Sequence, residues 1–335
     1  MTVIVVGAGI AGLACARELV DAGVPARVVE RAGVVGGRLA SEPLGGRTVD
    51  TGAAYLTADH PAFLGRLQTW RIDGLARPWT DTFRGQHGAA PMRWSAPGGL
   101  RSLAVDLARE LDVTLGAEVT ALPRADAVVL AMPGPEALRI ADLPAAREQS
   151  WSPVLTAVLT YPDRVWPDFH GVFVNDHPVL ATVCDDGDRR GDRAPVLVAH
   201  STAEFARGSG WFSAPSEGPG AGSGTARGSG WFSAPSEGPG AGSGTARERR
   251  PDDAAGVEMA AAVGALLELG DPVGVTLRRW PFAQPRPGTG RFAVRDGVYL
   301  CGDAFGRPRV QTAWLSGLAA ARAILQSTRL QSTVR

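Results

Sequence analysis

Residues 2–38 read TVIVVGAGIAGLACARELVDAGVPARVVERAGVVGGR, and the fold turns on them. The run 2–6 is short, β-branched and bounded by glycine, which predicts a buried parallel strand. From Ile10 to Ala22, the residues Leu13, Ala16, Leu19 and Val20 share one stripe of a helix that Gly23 and Pro25 end. Ala26 to Val29 predicts a second strand stopping at Glu30, which completes a βαβ opening. Between strand and helix, Gly7-Ala8-Gly9-Ile10-Ala11-Gly12 fits GxGxxG in the context that motif requires. The first glycine makes a tight turn, the second admits a pyrophosphate to the backbone, and the third lets helix pack on strand. Free N–H groups at the helix start, aided by its dipole, then hold the phosphates. Glu30 lies 18 residues past Gly12, where a carboxylate accepts from ribose hydroxyls. Together these residues predict a dinucleotide site.

Working outward, 335 residues exceed the ~250 to 300 at which single cores stop growing, so two domains are expected. Net charge is zero, which leaves no basic field for nucleic acid or an anionic membrane; a small-molecule partner is expected. All 34 basic residues are arginine. The absence of lysine excludes Schiff-base chemistry, a pyridoxal phosphate anchor and a Walker phosphate lysine. Cys15, Cys184 and Cys301 show no CxxC spacing, and the run from Val3 to Ala16 lacks the basic flank of a signal peptide. No stretch has the ~18 to 20 apolar residues of a membrane span. A cytoplasmic protein, monomeric or homodimeric, is expected. His60, His87, His170 and His177 show no ligand spacing, so no metal site is assigned.

Leu103 to Leu111 reads as helix, Val113 to Thr120 as extended chain and Ala127 to Ala131 as a further buried strand. The middle differs: Val154 to Thr160, Gly171 to Val174, Val179 to Val183 and Val196 to His200 are short strands between turn clusters, with 175–178 as a hairpin turn. Ala254 to Leu269 predicts a helix and Gly274 to Trp280 a strand. The fold class is therefore α/β, a Rossmann-type domain with an inserted, mainly antiparallel sheet. The expected division gives 1–57, 97–145 and 285–328 to a discontinuous cofactor domain, and 58–96 with 146–284 to a substrate domain. Within the latter, GSGWFSAPSEGPGAGSGTAR at 208–227 returns unchanged at 228–247. Identity between the copies indicates tandem duplication, and a composition this poor in packing groups predicts a surface insertion. A lid carrying Trp211 or Trp231 is the functional alternative.

After Glu30 come Arg31 and Gly36-Gly37-Arg38, which resemble the second phosphate-contacting segment of flavoproteins of the amine-oxidase superfamily. Val298-Tyr299-Leu300-Cys301-Gly302-Asp303 resembles that superfamily's second flavin motif, in which the aspartate holds the ribityl chain. Arg309-Val310-Gln311-Thr312-Ala313 leads into a helix from Trp314 to Leu325 whose N-terminus would face the flavin. Asp50 to Thr57 looks like the strand beside the flavin ring. Arg93-Trp94, Pro97 to Leu100, Val196 to His200, Arg279-Trp280 and Ala313 to Gly317 match further blocks of the renalase-like flavoproteins. The resemblance implies noncovalent FAD held by Arg31, Gly37, Arg38, Gly52, Ala53, Ala54, Val119, Gly302, Asp303, Val310, Gln311 and Ala313 besides the first motif. It also implies hydride transfer from an off-pathway dihydronicotinamide isomer, with electrons passed to O2 to give hydrogen peroxide.

Such a donor needs orientation more than acid or base. Tyr55, Trp94 and Trp280 are expected to wall the pocket, and His200 or Gln311 to contact a carboxamide. A flavin amine oxidase shares the cofactor motifs, although the lysine many of those enzymes use near the flavin is missing here. A tailoring oxidase or desaturase of secondary metabolism would change only the pocket. The non-enzyme alternative is a flavin-binding interaction protein.

Overall fold

The computed structural model describes residues 1–211 and 251–333; most of the repeat lies outside them. The chain opens with β1 (Val3–Val6), α1 (Ile10–Asp21) and β2 (Ala26–Val29), then a hairpin of β3 (Ser41–Leu44) and β4 (Arg47–Asp50), and short β5 (Leu56–Thr57). Next come α2 (Pro61–Ile72), β6 (Arg77–Thr80), β7 (Arg93–Ser95), α3 (Arg101–Ala108), β8 (Asp112–Thr114) and β9 (Ala127–Leu130). Short helices α4 (Gly134–Ala137) and α5 (Pro144–Arg147) precede β10 (Trp151–Thr160), β11 (Gly171–Phe173), β12 (Leu180–Asp185), α6 (Asp186–Arg190) and β13 (Val196–Ser201). After α7 (Ala203–Gly208) follow α8 (Pro251–Leu267), β14 (Gly274–Pro285), β15 (Ala293–Arg295), β16 (Val298–Leu300) and α9 (Val310–Thr333).

Strands β16, β9, β1, β2 and β8 form a parallel sheet in that order, and β15 closes one edge as an antiparallel hairpin partner. Helices α1, α3 and α9 cover one face through Leu13, Leu19, Leu103 and Ile324, all fully buried. A second sheet, β11-β12-β13-β10-β14, is antiparallel throughout, with Thr156 of β10 opposite His200 on one side and Arg278 on the other. Helix α8 closes it with Ala255, Met259 and Val263, spaced one helical turn apart. The fold is thus a Rossmann-type α/β sheet with an antiparallel sheet module, as the strand pattern predicts. The 175–178 turn joins β11 and β12 as a hairpin, with Asp176 at φ 55°.

Three readings need correction. Helix α9 starts at Val310, not Trp314, because the Ala313 amide already donates to the Arg309 carbonyl at 3.1 Å, and it continues to Thr333. The run 113–120 is extended only to Thr114; then Gly116 and Ala117 donate to the carbonyls of Ala32 and Glu30, turning Val119 off the sheet. Residues 51–55 form no strand. Their amides are taken by neighbouring chain: Thr51 and Gly52 donate to Ala40, and Ala53 to Arg38.

Candidate functional site

The parallel strands put the ends of β1, β2 and β16 on one edge of the sheet, where Gly7–Gly12, Glu30 and Gly302-Asp303 follow them. Gly9 is the N-cap of α1, with no side chain accepting from the first turn and no acidic residue in it, so these amides stay available to an anion. A Cβ on Gly12 would lie 2.0 Å from the Gly7 carbonyl oxygen, which is why helix and strand meet here only through glycine. Glu30 accepts from the amides of Ala8 and Ala32, both at 2.8 Å, which ties the glycine loop to the end of β2. A carboxylate has about four acceptor positions, so two remain for ribose hydroxyls. The Gly36 amide donates to Ala8 at 2.8 Å and brings the Gly36-Gly37-Arg38 segment beside the first loop. Arg31 pairs with Glu136 at 2.6 Å.

Residues 265 positions apart in sequence meet at the other motif. The Arg38 guanidinium grips Asp303 with two hydrogen bonds of 2.8 and 2.6 Å, donates to the Ala283 carbonyl at 3.0 Å, and lies 5.1 Å from the Trp151 ring. The Gly302 amide is fixed by Ser316 of α9 at 2.9 Å, so the loop after β16 and the start of α9 move together. Val310 and Ala313 lie in the first turn of α9. The Gln311 side chain is spent elsewhere: its amide oxygen accepts from Asp59 and His60 at 2.8 and 3.0 Å, and its nitrogen donates to Asp59 at 2.5 Å. One N–H of the side-chain amide and the backbone are left to face a cofactor.

Between these ends runs the segment 50–54, and side chains of the antiparallel module hold its carbonyls. Trp280 donates to Thr51 at 2.9 Å, Arg189 to Ala54 at 2.8 Å, and His200 Nε2 lies 3.0 Å from the Gly52 oxygen. His200 Nδ1 meets the Thr182 hydroxyl at 3.1 Å, so both ring nitrogens are engaged. Burial pushes the imidazole pKa down to about 4, with the Arg189 charge adding to it and the Gly52 bond opposing. His200 and Trp280 therefore grip the backbone of Gly52 and Thr51. Tyr55 follows in the chain, edge-on to Phe83 at 5.5 Å between ring centres. Trp94 is 7% exposed and packs in the core.

Arg189 belongs to a buried charge cluster with no motif in the sequence. Asp186 and Arg189 are fully buried and paired; Arg190 reaches Asp50 at 3.2 Å and Asp186 at 3.3 Å, and Arg47 reaches Asp186 at 2.7 Å. Burial raises the Asp186 carboxyl, but Arg189, Arg190 and Arg47 outweigh it and hold the group below the ordinary carboxylate range. The run Asp185-Asp186-Gly187-Asp188-Arg189-Arg190 reads as a solvated turn on composition alone. Only its pairing with Arg47 and Asp50 reveals a joint between α6 of the antiparallel module and the β3–β4 hairpin.

Cys15, Cys184 and Cys301 are buried free thiols. Among the described residues no cluster of three or more His, Cys, Asp or Glu side chains could hold a metal, and no helix is long and apolar enough to cross a membrane.

Residues 5–69 match the NAD(P)-binding Rossmann-like domain family. A phytoene dehydrogenase of Streptomyces griseus is 53% identical over 55 residues, a stretch that makes up 16% of this chain and only 11% of that protein. An Exiguobacterium sp. 255-15 structure assigned as a protoporphyrinogen oxidase superposes with a TM-score of 0.69 at 13% identity, covering 96% of this chain and 98% of that one. Wild-type putrescine oxidase bound to putrescine gives 0.66 at 15% identity, covering 97% and 99%. The chain therefore carries an NAD(P)-binding Rossmann-like domain within the fold of the solved protoporphyrinogen oxidase and putrescine oxidase structures.

Proposed function

We propose that the chain is an FAD-dependent oxidase that takes hydride from a small donor, a dihydronicotinamide, and passes the electrons to O2 to give hydrogen peroxide. The observation that carries the flavin is the placement of an uncapped helix start, Glu30 and Asp303 along one edge of a parallel sheet, with Arg38 joining the two motifs. A dinucleotide laid along that edge meets amides at its pyrophosphate and carboxylates at its sugar hydroxyls. Bound there, FAD supplies the hydride acceptor and the route to dioxygen.

The protein's own contribution is orientation. Trp280, His200 and Arg189 fix the carbonyls of 51–54, and Tyr55 continues that wall as aromatic surface. With a pKa near 4, His200 is neutral at physiological pH and carries no proton to or from the donor. The chain has no lysine, and the wall offers no charged base. A dihydropyridine needs none, whereas an amine must first lose its proton.

The test is anaerobic mixing of FAD-loaded protein with 2- and 6-dihydronicotinamide isomers, ordinary NAD(P)H and simple amines, followed by bleaching of the flavin band. Fast bleaching by an isomer, nearly independent of pH from about 6 to 9, is expected. Bleaching by an amine alone, rising steeply with pH, would replace this reading with an amine oxidase.

A further inference from the structure

Three arginines are buried among the described residues: Arg93, Arg189 and Arg190. Arg189 and Arg190 meet carboxylates, as a charge withdrawn from water requires. Arg93, only 4% exposed on β7, has no acidic partner among the described residues. Its Nη2 donates to the Gln86 side chain at 2.9 Å, while Nε and Nη1 have no hydrogen-bond acceptor. At least three of the five N–H bonds of the guanidinium therefore meet no acceptor among the described residues.

What surrounds Arg93 is aromatic. Its guanidinium carbon lies 4.2 Å from the centre of the Phe83 ring, 5.2 Å from Tyr55 and 5.4 Å from Phe173. Phe83 touches both other rings, at 5.5 and 5.1 Å between centres. Ring faces attract a cation, but they offer no lone pairs to N–H groups and replace only part of the lost hydration. Phe83 is buried, whereas Tyr55 and Phe173 each keep part of their surface exposed. Tyr55 directly follows the segment 51–54, whose carbonyls the antiparallel module clamps.

We propose that Arg93, Tyr55, Phe83 and Phe173 form a binding site for a planar ligand bearing a carboxylate, with Arg93 receiving the anion and the rings stacking on its plane. The anion supplies the charge and the acceptors that the protein withholds. The role of this ligand as electron donor rests on the flavin reading, because Tyr55 is the link to that site; the anion site itself does not.

Calorimetric titration of the FAD-loaded full chain with benzoate, and with its neutral counterpart benzamide, tests the proposal. Benzoate is expected to bind at least about ten-fold more tightly. Arg93→Met should reduce that preference to about one, and Arg93→Lys should restore part of it. Equal affinity for the two probes, no heat with benzoate, or an undiminished preference in Arg93→Met would overturn the site. If Arg93→Met does not fold, the wild-type ratio and Arg93→Lys still decide. Protein that takes up no flavin yet keeps an Arg93-dependent preference would end the flavin reading and leave this site standing.

Discussion

His200 carries the clearest pH signature in the molecule. Burial lowers its folded pKa to about 4, below the ~6.5 of an unfolded histidine, so the unfolded chain binds more protons between those values. The stability it contributes is complete above about pH 6.5 and is lost as pH falls towards 4. Urea midpoints measured across that window should decline in the wild type and decline less in His200→Gln; equal slopes would show that the imidazole does not titrate in this way. Glu30 makes a prediction about binding instead. Glu30→Ala removes charge-assisted hydrogen bonds worth ~1.5 to 3 kcal/mol each, so FAD affinity should fall by about ten-fold or more while the fold survives. Flavin titration that finds unchanged affinity would remove Glu30 from the ribose role. Glu30 was legible because it ends a strand at a set distance from Gly12. The grip of His200 on Gly52 was not, since 148 residues separate the partners and no local pattern records the contact.

At the level of elements, α1 and α9 are pressed together at Gly317, where a Cβ would lie 2.0 Å from the Ala11 carbonyl oxygen. Ala11 belongs to the glycine loop, so relief of that clash must move the phosphate site. Gly317→Ala should cost ~1 to 3 kcal/mol in urea unfolding and weaken FAD binding with it. A variant as stable as wild type would mean that the helices separate freely. The sequence placed α9 but began it four residues late, because Val310 and Thr312 are β-branched, weaker helix formers and hydrogen bonding, not propensity, starts the first turn. The family resemblance likewise suggested strand through 51–55, where the carbonyls instead meet side chains such as Trp280 and Arg189.

Across the whole molecule, the antiparallel module and the β3–β4 hairpin are joined through buried charge. Arg189→Met leaves Asp186 and Asp50 short of a partner, and breaking a buried pair of this kind costs ~3 to 5 kcal/mol. The loss should appear as a lower urea midpoint, together with weaker FAD binding, since the same guanidinium holds the carbonyls of Ala54 and Asp50. Unaltered stability would show that Arg190 and Arg47 carry the joint alone. The parallel sheet and its ligand edge could be read from 37 consecutive residues because turn, helix start and acid lie close in sequence. The joint and the Arg93 box could not, because their members come from distant segments and look like ordinary surface charge until the chain is folded.

The proposed oxidase activity depends on FAD lying along the edge that runs from Gly7 to Asp303. The direct measurement is flavin content: purify the full chain, reconstitute it with FAD, remove unbound flavin, record the visible spectrum and precipitate the protein with acid. A yellow protein that releases its colour into the supernatant is predicted, since Cys15, Cys184 and Cys301 are all buried and none sits in a recognised flavin-linking motif. Colour retained by the precipitate would contradict noncovalent binding, and a colourless protein that cannot be reconstituted would contradict the flavin site itself.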